Sequence, residues 1–278
     1  MLGLATGSSP IGVYKELIRM YKDGELSFKN VITFNLDEYY PISHTNPESY
    51  HQFMAVQLFD HVDIPKENIN VPSGEVAKDQ VNEFCKEYER KIVQAGGIDL
   101  QILGIGRTGH IGFNEPPSSS SSVTRLVHLE RVTRKDNSSG FNGEENVPKH
   151  AITMGIWTII QAKRIIIMAW SESKADVVRR TVEGPTTIEI PATLLHDHPK
   201  CTFYLDWPAS EKLSRFVNPW TIRGDIADPE ITYDDYWTVK GVIWLSETVK
   251  KAILRLTYDD YERNKLSKLV TDVGNDNA

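Results

Sequence analysis

Short runs of β-favouring apolar residues alternate along this chain with stretches whose apolar positions recur at helical spacing, and few architectures tolerate that alternation. The runs are residues 2–5 (LGLA), 31–36 (VITFNL), 99–106 (DLQILGIG), 164–170 (RIIIMAW) and 201–206 (CTFYLD). Between them, Val13, Leu17, Ile18 and Tyr21 mark a helix closed by Gly24, with Ser9 suited to its N-cap and Pro10 to its first position. Further helices are expected over residues 49–62, 79–95, up to 162, 174–182 and 190–198. Strands alternating with helices predict an α/β fold, a three-layer Rossmann-like parallel sheet with helices on both faces. From Trp207 onward the pattern is aromatic and helical, with residues 233–256 the longest run, and this segment is expected to pack on the same sheet.

In such sheets ligands bind at the carboxyl edge, so the residues just past each strand matter most. After residues 99–106 the chain reads RTGHIGFNEP, turning through Gly106 and Gly109 and delivering His110 and Glu115 within a few positions of each other. Glycines allow tight turns and close approach of a ligand to the backbone. After residues 2–5 come Thr6, Gly7, Ser8 and Ser9, a small-residue loop running into a helix N-terminus, which offers amide donors and a favourable dipole end to a phosphate. After residues 31–36 stand Asp37 and Glu38, two acids poorly suited to a core. Lys174 opens a helix, an unfavourable place for a cation unless an anion lies nearby. Each feature alone also suits an ordinary capped or solvated turn. The polar, glycine-bearing stretch from Ser118 to Asn146 suits either a lid or a plain surface loop.

The 278 residues accommodate one large α/β domain or two smaller ones. With a formal charge of -7 and no Lys/Arg run there is no electrostatic case for nucleic acid, and no apolar stretch is long enough to span a membrane. Cys85 and Cys201, without metal-ligand spacing, fit a reducing, cytoplasmic setting and no zinc.

Taken together, ATGSSP, SFKNVITFNLDEYYPI, PESYHQFM, DHVDIPKENIN, GHIGFNEP, VPKHAITMG and VEG, in that order, resemble the glucosamine-6-phosphate deaminase family, in a subgroup with an extended C-terminal segment. The resemblance implies a sugar-phosphate isomerase/deaminase domain over residues 1–206, short of an N-terminal strand and helix that family members carry, and a helical extension over 207–278. It implies conversion of glucosamine 6-phosphate and water to fructose 6-phosphate and ammonia, with no metal or organic cofactor. The partner is a small-molecule sugar phosphate, and the chain is free to form a homo-oligomer. By the family pattern His110 opens the sugar ring, Glu115 orients it, and Asp37 moves the proton at C2. Thr6, Gly7, Ser8, Ser9, Gly106, Gly109 and Lys174 hold the substrate, its phosphate on the Thr6–Ser9 loop and Lys174.

Three positions depart from that pattern: Thr108 replaces an Asp, Ser139 replaces an arginine of the phosphate site, and Val127 replaces a basic residue that helps bind an activator, although Arg125 remains. Activation by N-acetylglucosamine 6-phosphate is therefore not expected. Two other functions compete. A 6-phosphogluconolactonase shares the expected fold, but Asn114, Glu115 and Pro116 count against it; a catalytically silent sugar-phosphate-binding protein would explain Thr108 and Ser139, but has no need of Asp37, His110 and Glu115 together.

Overall fold

A computed structural model describes residues 1–219, 235–267 and 269. The chain divides into two compact units, Met1–Ala209 and Ser210–Ala278, a boundary a few residues beyond the expected one.

The first unit begins with β1 (Leu2–Leu4), α1 (Ile11–Lys22), β2 (Thr33–Asn35), β3 (Asp37–Tyr40), α2 (Tyr50–Gln57), β4 (Ile69–Asn70), α3 (Val81–Gln94) and β5 (Leu100–Gly104). It continues through β6 (Arg125–His128), α4 (Arg131–Asp136), β7 (His150–Thr153), α5 (Ile156–Ile160), β8 (Ile165–Ala169), α6 (Ala175–Glu183) and β9 (Cys201–Leu205), and the boundary falls at the last residue of the short α7 (Trp207–Ser210). Six strands form the main sheet in the order β4-β2-β1-β5-β8-β9, every pair parallel. Central strands of such a sheet are covered on both faces and so read as continuous apolar runs. Accordingly Ile102 and Leu103 of β5 and Ile165, Ile167, Met168 and Ala169 of β8 are all buried. The helices cover the sheet with one face each: α3 buries Val81, Cys85, Tyr88 and Ile92, close to one residue per turn. Its Tyr88 hydroxyl donates to the Asn35 carbonyl at 2.8 Å, which lets a phenol sit in the core with its polar end satisfied. Full burial of each such aliphatic or aromatic side chain contributes about 1.5–3 kcal/mol.

A second sheet, β3-β7-β6, is antiparallel. Its registers place Asp37 opposite Thr153 and Tyr40 opposite His150. The acids expected to end a strand in a turn are therefore the first residues of a new strand. The chain crosses between the sheets at Leu36, whose amide donates to Leu4 on one side while its carbonyl accepts from Met154 on the other. Tyr39, Phe113, Leu129, Val147 and Ala151 pack under this small sheet, with Tyr50, Val127 and Phe141 against them.

Local expectations needed four corrections, the first being that the helix expected over residues 190–198 is a 3-10 turn at Pro191–Leu195. The stretch from Ser118 to Asn146 is not a featureless lid: it holds β6, α4 and a 3-10 turn at Glu144–Asn146. The helix expected over residues 49–62 ends at Gln57 and gives way to a 3-10 turn at Phe59–His61. Pro10, and not Ser9, is the N-cap of α1; the Ser9 hydroxyl instead lies against Gly104, where a Cβ would come within 3.3 Å of it.

The second unit has its own core, Leu245, Leu266 and Leu269, with Trp237, Trp244, Val249, Leu256 and Tyr261 packed against it. Among its described residues lie α8 (Ser214–Val217), α9 (Asp235–Val249) and α10 (Tyr258–Arg263). Helix α10 starts at a capping box formed by Thr257 and Asp260. Residues 233 and 234 of the helix expected there lie outside the described residues. Among the described residues no helix is long and apolar enough to cross a membrane, and no group of three His, Cys, Asp or Glu residues could hold a metal ion.

Candidate active site

From β1 the chain runs outward to β2 and β4, then returns to the other side of β1 as β5 and continues to β8 and β9. The connections leaving β1 and β5 therefore diverge, and between neighbouring strands of this kind an open parallel sheet has a crevice at its carboxyl edge. A cavity of about 330 Å³ lies there. Residues 5–9 wall one side, residues 104–107 with His110 another, and Asp37, Tyr50, Asp136 and Lys174 complete the ring of polar groups.

The two neighbouring acids have separate fates because successive side chains of a strand face opposite ways. Asp37 lines the cavity and is 5% exposed. Burial, reinforced by the charge of Glu38, pushes its carboxyl up from 3.8 to about 8. Gly112 makes room for it: at φ 55° that residue would place a Cβ 3.1 Å from Asp37 Oδ2. Glu38 turns away and caps α2, its carboxylate accepting from the Tyr39, Tyr50 and His51 amides, each at 2.9 Å. Burial raises the Glu38 carboxyl to about 7, against the lowering effect of those amides.

His110 stands on the loop after β5. Its ring lies on Gly106, where a Cβ would fall 2.0 Å from the imidazole, so only glycine permits this placement. The Thr108 hydroxyl is 2.9 Å from Nδ1. Burial is the main influence on the imidazole, with the positive charge of Lys174 second and Asp136 opposing both; together they take it down to about 4. The ring is therefore neutral at physiological pH and able to take up a proton. Gly109, expected at the substrate, is not in the cavity wall. Its φ of 80° turns the chain, and a Cβ there would meet Ile190 at 2.5 Å.

Glu115 also departs from expectation. Its carboxylate accepts from the Glu130 amide at 2.8 Å and from the Thr133 hydroxyl, binding the start of α4 to the loop after β5. The carboxylate that acts electrostatically on His110 is Asp136, at the far end of the same helix. Asp136 is paired with Arg107 at 3.0 Å. Lys174, at the N-cap of α6, reaches across to donate to the Ile105 carbonyl at 2.7 Å, and burial lowers its pKa. Gly7, with φ 83°, has nothing within 4 Å of the position a Cβ would take, so the loop before α1 is open.

Ser139 lines a smaller neighbouring cavity of about 240 Å³ together with Tyr39, Glu48 and Phe141. Val127 packs on the small aromatic core and Arg125 donates to Asn114 at 2.9 Å. Sequence reasoning missed Tyr50, Arg107, Thr133, Asp136 and Asn137, which all line the main cavity. The signal available for three of them was the one-turn spacing of Thr133, Asp136 and Asn137 within a stretch read as loop.

Comparison with known proteins gives a consistent picture. Residues 1–204 match the family described as glucosamine-6-phosphate isomerases/6-phosphogluconolactonase. A glucosamine-6-phosphate deaminase-like protein of Bacteroides thetaiotaomicron is 42% identical over 274 residues, which are 99% of this chain and 40% of that protein. The chain thus spans less than half the length of this relative. The glucosamine-6-phosphate deaminase of Thermoanaerobacter pseudethanolicus is 50% identical over 210 residues, 76% of this chain and 82% of that one. Among solved structures, that of a monomeric glucosamine-6-phosphate deaminase superposes with a TM-score of 0.73 at 43% identity, over 76% of this chain and 87% of the other. The 6-phosphogluconolactonase of Thermotoga maritima superposes with a TM-score of 0.58 at 19% identity, over 73% of this chain and 84% of the other, a likeness of fold alone.

Proposed function

Because the chain belongs to the family of glucosamine-6-phosphate isomerases and 6-phosphogluconolactonases, we propose that its cavity converts glucosamine 6-phosphate and water into fructose 6-phosphate and ammonia. The observation that carries this reading is the convergence of three unlike parts on one cavity: a buried carboxyl, an imidazole, and an open helix-start loop facing a lysine. Ring opening needs a group that takes the proton of the anomeric hydroxyl and returns one to the ring oxygen as the C–O bond breaks. A neutral imidazole at His110 can do both. Aldose-to-ketose conversion then moves the C2 proton to C1, and Asp37 is the base. A carboxyl with a pKa near the working pH is best matched to a carbon proton, since it is basic when ionised and still ionised in part at neutrality. The resulting C2 iminium adds water and releases ammonia.

The phosphate rests on the Thr6–Ser9 loop at the start of α1 and against Lys174. Glu115 serves the site through α4. Every group invoked comes from a single chain, so the chemistry requires no second copy, and the free thiols Cys85 and Cys201 suit a cytoplasmic setting. The test offers the full chain glucosamine 6-phosphate, unphosphorylated glucosamine and 6-phosphogluconolactone in parallel. Ammonia release from the first alone is expected. Lactone hydrolysis without ammonia release would replace the reading with the lactonase one.

A further inference from the structure

We propose that Arg107 is a phosphate-binding residue of this site, held by Asp136 until the phosphate of the substrate displaces that carboxylate. The proposal deepens the sugar-phosphate reading above and rests on it.

Arg107 and Asp136 both line the main cavity, and so do Lys174 and His110. Asp136 is thus an anion set among cationic or protonatable groups. It pairs with Arg107 at 3.0 Å, and its charge also favours the protonated forms of His110 and Lys174. Arg107 in turn lies close enough to Lys174 to disfavour its positive charge. Two cations that repel each other across a cavity and share one carboxylate describe an anion site filled from within. A guanidinium presents a planar fork that matches a phosphate as well as a carboxylate, and the dianion carries more charge than Asp136. The Arg107 side chain is 71% exposed, so it can swing from one partner to the other without repacking. Asp136 is placed for this by α4, whose first turn Glu115 anchors. Ser139 adds no cation here, as it lies on the neighbouring cavity.

The exchange predicts opposite signs at the two ends of one ion pair. Inorganic phosphate is titrated into the full-length protein and its variants by calorimetry, which requires no turnover. Arg107→Gln is expected to weaken phosphate binding roughly tenfold or more, the usual cost of losing a charged hydrogen-bonding partner. Arg107→Lys should recover part of it. Asp136→Asn is expected to tighten binding about two- to fivefold, since an exposed pair of this kind no longer competes. In the Arg107→Gln background the same Asp136 change should have little effect. Equal binding by wild type and Arg107→Gln overturns the proposal, as does equal tightening by Asp136→Asn in both backgrounds, which would make Asp136 a simple repulsive charge. Failure of the wild type to bind phosphate at all, or binding left unchanged by Lys174→Ala, would instead sink the sugar-phosphate reading itself.

Discussion

Replacing Asp37 by Asn should move activity and stability in opposite directions. Burial and Glu38 hold the Asp37 carboxyl at about 8 in the folded protein, against 3.8 for the ordinary group. At pH 7 the folded chain therefore retains a proton that the unfolded chain has lost. Spread over the interval from 3.8 to 7, at about 1.36 kcal/mol per unit, this corresponds to a cost on the order of 4 kcal/mol. The sign follows from the raised value: the group costs nothing below pH 3.8, costs progressively more up to about 8, and no more beyond. Asparagine keeps the shape and cannot ionise. At pH 8 the cost has grown to about 5–6 kcal/mol, and at about 2–4 °C per kcal/mol for a unit of this size the variant should melt roughly 10–20 °C above wild type there and level with it near pH 4. The same change removes the carbon base, so ammonia release from glucosamine 6-phosphate should fall by about two to four powers of ten. Scanning calorimetry at pH 4, 6 and 8 alongside the ammonia assay reads both effects. A melting difference that stays flat with pH would mean that Asp37 does not carry its raised pKa in the folded chain, and turnover within tenfold of wild type would mean that it is not the carbon base.

Lys174→Ala should raise KM for glucosamine 6-phosphate at least tenfold while kcat changes little, as expected for a contact made equally in ground and transition states; an unmoved KM in steady-state kinetics would reduce Lys174 to a helix-capping lysine. Gly106→Ala would place a Cβ 2.0 Å from the His110 ring, so the ring must leave its position and turnover should drop by about a hundredfold or more while denaturant stability changes much less. Thr108→Asp sets a carboxylate beside Nδ1 and should raise the His110 midpoint from about 4 by roughly one to two units, read from the imidazole resonances in an NMR titration.

What the sequence reveals of this protein follows the range of the interactions involved. Five of the six strands of the main sheet were legible as short apolar runs, most plainly β5 and β8 at its centre, whereas the two-residue edge strand β4 left no such mark; their loops were legible because open parallel sheets place ligand groups at one edge. Asp37, His110, Lys174 and the Thr6–Ser9 loop accordingly line one cavity. The small antiparallel sheet was not legible. Asp37 pairs with Thr153, and Arg125 with Thr153 from the other side, and nothing local distinguishes four-residue strands so paired from turns. The same limit hid Glu38, whose buried carboxylate looks like a surface acid until α2 is docked on it. It also separated Glu115 from His110: the family resemblance implied that Glu115 orients the ring, whereas its carboxylate reaches α4. Asp136 came from a stretch read as a lid or a surface loop because six residues of helix with two lysine- or arginine-bearing turns carry no apolar stripe of their own.

Whether one cavity combines carbon-proton transfer at Asp37 with recognition of a sugar phosphate can be read by proton NMR of glucosamine 6-phosphate incubated with the protein in deuterated buffer. The C2 proton signal should disappear as fructose 6-phosphate and ammonium accumulate together. Part of the product should carry deuterium at C1, because the proton held by Asp37 exchanges with solvent before it is returned, and Asp37→Asn should show none of these changes. An unaltered substrate spectrum in the presence of folded wild-type protein, or product formed equally well by Asp37→Asn, would contradict that combination.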